Sequence, residues 1–194
     1  SINLEATGGA CVSSTTLATP IDGNNGQLGN MFNIINTSGG DISIMGMSQG
    51  PAYPNADATG VTADWWYSDL GDYTVSQNWV SAVSGTVDLT NSVSTGTIMF
   101  PTPVIIPAGA TYGFHCMYSV NIDYTNGSGT PGTTPRASDN NITVTEGHGS
   151  ASFGGLSFSP RNWNGEVIYG DPNSNLYTFS WSNGATTEDI SGLG

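Results

Sequence analysis

Tyr112-Gly113-Phe114-His115-Cys116-Met117-Tyr118-Ser119-Val120-Asn121-Ile122-Asp123-Tyr124 decides the fold, because every even-numbered position in it is apolar. Successive side chains of a strand point to opposite faces of a sheet. The stretch therefore predicts one long strand that buries Phe114, Cys116, Tyr118, Val120 and Ile122. His115 falls on the opposite face and reads as a surface or edge residue.

The same alternation continues on both sides. Upstream, Gly85-Thr86-Val87-Asp88-Leu89 and Thr97-Ile98-Met99-Phe100 read as strands. Val104-Ile105-Ile106 then runs into a turn at Pro107-Ala108-Gly109. Earlier still, Met31–Ile35 and Asp41–Ile44 flank the turn Thr37-Ser38-Gly39-Gly40, and Met45-Gly46-Met47 shifts phase as a β-bulge does. Ala63–Tyr67 and Asn78-Trp79-Val80 enclose the turn-rich stretch 68–72. Downstream, Asn126–Gly132 is a flexible connection. Residues 141–145, 165–169 and 177–181 supply the last strands. No segment sustains a 3.6-residue period. The expected fold is all-β: two antiparallel sheets face to face, a sandwich of jelly-roll type. It should span residues 1–170. Residues 171–194 read as a linker with the truncated start of a following repeat, or as a terminal strand.

Composition agrees. The chain has 194 residues, 37 % of them hydrophobic, and 27 glycines. That suits short strands joined by tight turns, since Gly and Asn tolerate positive φ. Fifteen acidic residues against two arginines (Arg136 and Arg161) and no lysine give a net charge of −13. Such a polyanion is repelled by phosphate backbones and anionic lipid, which argues against nucleic-acid partners and peripheral membrane binding. The acidity fits equally an extracellular life or a saline habitat. No apolar run approaches the roughly 18 residues of a membrane span. Ser1–Glu5 lacks the regions of a signal peptide. An exported protein would then begin here after cleavage, or this would be part of a longer polypeptide. Cys11 and Cys116 leave two readings open, a disulfide closing a long loop or two buried thiols.

A comparison rests on particular residues. Tyr177-Thr-Phe-Ser-Trp181-Ser-Asn-Gly-Ala-Thr-Thr-Glu188-Asp-Ile-Ser-Gly192-Leu193 resembles the beginning of the SprB-type repeat of large surface adhesins in gliding bacteria with type IX secretion. In that family the segment continues into a hairpin, which this sequence lacks. Asn24–Phe32, Ile106–Phe114, Asp123–Gly127 and Phe158–Gly165 look like a β-sandwich module of the same surface proteins, spread over roughly residues 20–170. The resemblance implies an exported, multi-domain surface protein and carries over no binding residues.

Several constellations could carry chemistry. Asp22-Gly23-Asn24-Asn25-Gly26 gathers side-chain oxygens in a short loop, the pattern of a calcium site through Asp22, Asn24 and Asn25, or of a solvated Asx turn. Asp64, Asp69 and Asp72 are a weaker second cage. Trp65, Trp66, Tyr73 and Trp79 offer a ligand platform on which sugar rings stack, or else fill the core. Neighbours on a strand point to opposite faces, so only one of Trp65 and Trp66 reaches the core. His148 in Glu146-Gly147-His148-Gly149 has no nucleophile motif to accompany it. Arg161 should pair with a carboxylate or stack on Trp163. The expectation is a non-enzymatic adhesive or structural module of a secreted or cell-surface protein. Its partners would be an extracellular glycan or surface ligand, neighbouring domains of the same polypeptide, or identical subunits. The alternatives are a carbohydrate-binding module and a self-assembling filament subunit using Tyr177–Trp181.

Overall fold

The computed structural model describes residues 6–12, 14–23, 25–91, 93–172 and 175–181. Its strands begin with β1 (Ala6–Val12), β2 (Thr15–Ala18), β3 (Asn25–Asn36), β4 (Ile42–Gln49) and β5 (Ala58–Ser68). There follow β6 (Val80–Leu89), β7 (Thr97–Ile106), β8 (Thr111–Asn126), β9 (Pro135–Ser138) and β10 (Ile142–Thr145). The last are β11 (Gly147–Ser150), β12 (Phe158–Trp163), β13 (Gly165–Gly170) and β14 (Asn175–Trp181).

These strands make an all-β sandwich. One sheet has eight strands in the order β6-β5-β8-β12-β11-β3-β10-β9, with β8 also paired to β3. The other has four, β2-β13-β4-β7, and every pairing is antiparallel. β1 and β14 form a separate two-stranded sheet, Ala6 opposite Trp181 and Val12 opposite Asn175. The segment 177–181, read as the start of a following repeat or as a terminal strand, is thus paired with β1 of the same chain. Residues 182–194 lie outside the described residues.

The long central strand behaves as its alternation predicts. Phe114, Cys116, Tyr118 and Ile122 of β8 face the four-stranded sheet and are buried. They meet Ile44 and Met47 of β4, Phe100 and Ile106 of β7, and Val167 of β13 in one core. Phe32 is stacked on Trp163 with centroids 4.7 Å apart, and Trp65 meets Trp163 edge-on at 5.5 Å. Each such pair contributes ~0.5–1.5 kcal/mol beyond its buried area. The polar edges of the indoles are satisfied: Trp163 Nε1 donates to Gln49 Oε1 (2.7 Å) and Trp65 Nε1 to the Tyr118 hydroxyl (3.1 Å). An unmatched N–H at this depth would cost about 1–3 kcal/mol.

The phase shift at Met45 is a bulge, with the β4–β7 register slipping between Ile44 and Gly46. Two strand expectations need correction. The segments 97–100 and 104–106 are one strand, β7, which passes through Pro101 and Pro103. Prolines are tolerated there because β7 is an edge strand with one side free of ladder bonds. Asn78 and Trp79 precede β6, which starts at Val80.

One glycine shows how closely the strands approach. A Cβ on Gly147 would lie 1.7 Å from the Met31 carbonyl oxygen, so β11 seats against β3 only with glycine there.

Candidate functional site

Trp65 and Trp66 are adjacent on β5 and opposite residues of β8: Trp65 faces Cys116, and Trp66 faces His115. The pleat therefore sends one pair inward and the other to the outer face of the eight-stranded sheet. Trp65 is fully buried in the core, which removes it from any exposed platform. Tyr73 is also buried, its hydroxyl 2.7 Å from His148 Nδ1. Both readings as ligand contacts are corrected by burial. Trp66 and Trp79 do stand on the outer face, each half-buried.

What joins them there is a residue expected on the surface. His115 is fully buried, because the loop between β11 and β12 folds over it. The ring of Phe153 stacks on His115 (5.3 Å, 24° between planes) and leans on Trp66 at 4.6 Å. Trp79 closes the third side, 5.3 Å from the imidazole, and its Nε1 donates to Gln77 Oε1 (3.0 Å). The Gly154 N–H donates to His115 Nε2 (3.2 Å), and Nδ1 lies 3.1 Å from the Asn30 carbonyl oxygen. A carbonyl can only accept, so Nδ1 carries the proton and the ring is neutral. Burial pushes the His115 pKa down to about 4, the Asn30 carbonyl opposing.

The result is an aromatic base capped by an open ring. Phe153 is 53 % exposed, and the same hairpin exposes Leu156 and Phe158. Arg161 does not sit on Trp163 as expected. Its guanidinium lies over Tyr124 (5.9 Å) and Phe158 (6.0 Å), and Nη1 donates to the Pro160 carbonyl oxygen. Phe153 carried no signal in the sequence, since Ala151-Ser152-Phe153-Gly154-Gly155 resembles any glycine-rich turn.

The remaining candidates separate. Asp22 is exposed and forms an ion pair with Arg136 (2.9 Å). Asn25 donates to Asn126 Oδ1 (3.0 Å) and accepts from the Gly26 N–H (2.9 Å). Asn24 lies outside the described residues. Asp72 accepts from Asn33 Nδ2 (2.8 Å) and from the Thr74 N–H (2.9 Å), pinning its own loop. Among the described residues no group of three or more His, Cys, Asp or Glu side chains converges as metal ligands do, so the cage of Asp64, Asp69 and Asp72 does not form. His148 is bonded to Tyr73, and burial lowers its pKa. Cys116 is a free thiol in the core, which corrects the disulfide reading from that side; the side chain of Cys11 lies outside the described residues.

No family model and no curated protein sequence matches the chain. Among solved structures it is similar to a chain of "Structure of infectious bursal disease virus Gx strain", at 10 % identity and a TM-score of 0.21, over 96 % of this chain and 39 % of that one. It is also similar to a chain of the infectious bursal disease virus VP2 subviral particle, at 11 % identity and a TM-score of 0.16, over 91 % and 39 %. The chain spans about two-fifths of the length of both, and likenesses this low carry no argument.

Proposed function

We propose that this protein is a non-enzymatic adhesive module of a secreted or cell-surface bacterial protein, with the Phe153 face as its contact for an extracellular glycan. The observation that carries the reading is the placement of Phe153, half in solvent yet braced from below by Trp66 and His115. A ring held rigid before contact loses little conformational freedom on binding, and that preorganisation is what a stacking platform needs. Exposed apolar side chains grouped on one hairpin mark contact surfaces more often than singly scattered ones do. The resemblance of residues 177–193 to the SprB-type repeat supports the surface setting, and with it export by type IX secretion and a part in attachment or gliding. The charge of −13 disfavours polyanionic partners and suits neutral or cationic ones.

The test is a glycan panel probed with the wild-type domain, Phe153→Ala and Trp66→Ala. Retention on a subset of glycans that both variants lose supports the reading. Silence across the panel, or retention that neither substitution changes, contradicts it.

A further inference from the structure

The outer face that carries Trp66 continues along β5 beyond the rings. The pleat puts Asp64 on the same side as Trp66, two residues back and so about 7 Å along the strand. Ala63 and Trp65, on either side of it in sequence, are buried in the core, which fixes that orientation. Asp64 stands opposite Met117 of β8 and Ser84 of β6, one row away from the pair Trp66 and His115. In the next row Thr62 is opposite Thr86, and the Thr62 N–H donates to Ser119 Oγ (3.0 Å). Thr62, Ser84, Thr86 and Ser119 are exposed, and Asp64 is half-buried, which leaves this strip of the sheet open to solvent.

The charge on this strip is uncompensated. Among the described residues Asp64 forms no ion pair and no side-chain hydrogen bond. The chain has no lysine, and both arginines are engaged elsewhere. Arg136 donates to Asp22 Oδ2 and the Pro20 carbonyl oxygen, while Arg161 lies over Tyr124 and Phe158. A carboxylate beside aromatic faces draws an ammonium group in two ways. Opposite charge attracts it, and so do the negative ring faces of Trp66 and Phe153.

We propose that the glycan taken by this face is a chain of 2-amino sugars with free amines. One sugar ring stacks on Phe153, its ammonium meets Asp64, and the sugar hydroxyls that follow bond to Thr62, Ser84 and Thr86. The inference rests on the stacking role given to Phe153 above and adds what that face selects. An acidic glycan is repelled by the same carboxylate and by the net charge of −13, and an uncharged one gains the stacking contact without the ion pair. Charge complementarity therefore names the occupant, and the row of hydroxyls along β5 and β6 suits a sugar chain lying on a flat sheet.

The experiment titrates a glucosamine hexamer and its fully N-acetylated counterpart into the full chain by calorimetry. At pH 6 the sugar amines carry charge while His115, with its pKa at about 4, is neutral. The free-amine form should bind about tenfold more tightly, the size expected of one exposed ion pair with a cation–π contact. Raising sodium chloride about tenfold should cut that preference to roughly threefold or less. Asp64→Asn, at a side chain without hydrogen bonds, should fold as wild type does and bring the affinity for the free-amine form down to that for the acetylated one. Asp41→Asn removes the same charge from an exposed position just before β4 of the other sheet, and should keep the preference. Equal affinity of wild type for the two forms, with both lost in Phe153→Ala, overturns this inference and leaves the stacking face standing. Silence toward both forms overturns it too, and the wider glycan panel then decides the stacking face on its own. A preference that neither salt nor Asp64→Asn reduces, or equal binding of a lysine oligomer of the same charge, also overturns it.

Discussion

Protonation of His115 should release the loop that carries Phe153. In the folded protein its Nδ1 proton faces the Asn30 carbonyl and its Nε2 accepts from the Gly154 N–H. A second proton can go only on Nε2, where it meets that N–H head-on. The folded pKa is about 4 against an unfolded value of 6.5. A base with a depressed folded pKa stabilises the fold fully above the unfolded value, and loses that stability as pH falls from 6.5 toward 4. At 1.36 kcal/mol per unit, the move from pH 7 to pH 4.5 should cost about 2.4 kcal/mol from this group. His148 contributes with the same sign and Asp123 with the opposite one, so wild type alone does not isolate the effect. The clean assay is urea unfolding of wild type and His115→Gln across pH 4–7, read as the difference between the two curves. That difference should change by about 2.4 kcal/mol between pH 7 and pH 4.5, while amide exchange at 151–157 quickens in wild type as pH falls. Parallel curves would refute the reasoning, as would a histidine resonance that titrates near 6.5 and belongs to His115.

Three further outcomes follow from the geometry. Gly147→Ala should destabilise the sandwich by more than about 3 kcal/mol, or prevent folding, since its Cβ would meet the Met31 carbonyl at 1.7 Å; a urea midpoint within 0.5 M of wild type would contradict this. Cys116, buried and with its thiol pKa pushed up to about 12, should resist alkylation in the native state and react at ordinary rates in 6 M guanidinium. Mass mapping of the labelled peptide checks that. Gln49→Leu should cost roughly 1–3 kcal/mol by leaving the Trp163 indole N–H unmatched, measurable as a fall in the thermal midpoint.

Much of the sandwich was legible because its signals are local. Alternation along 112–124 marked the buried face of β8, the doubled Met45-Gly46-Met47 marked a bulge, and the pair Trp65-Trp66 had to divide between two faces. The strand order within the two sheets was not legible, because pairing between strands far apart in sequence leaves no local period. The site was harder for the same reason. His115 reads as exposed until a loop 36 residues further along folds onto it, and that loop is glycine-rich, its large apolar residues Phe153 and Leu156 following no strand alternation. Trp65 and Tyr73 were plausible platform residues only while their depth was unknown. Asp123 occupies an odd position of an alternating strand, where an acid normally meets water; its burial comes from the segments around Gly23 and Asn55, which are remote in sequence.

The adhesive face is tested most directly by the affinity of Phe153→Ala for a glycan that the wild-type domain retains, set beside Met99→Ala. Met99 is similarly exposed, at 52 %, but lies on β7 of the other sheet. Loss of a central aromatic contact should weaken binding at least about tenfold, equivalent to 1.4 kcal/mol, and leave the Met99→Ala affinity at the wild-type value. Equal affinities for wild type and Phe153→Ala, or equal losses in both variants, would contradict a binding site built on Trp66, His115 and Phe153.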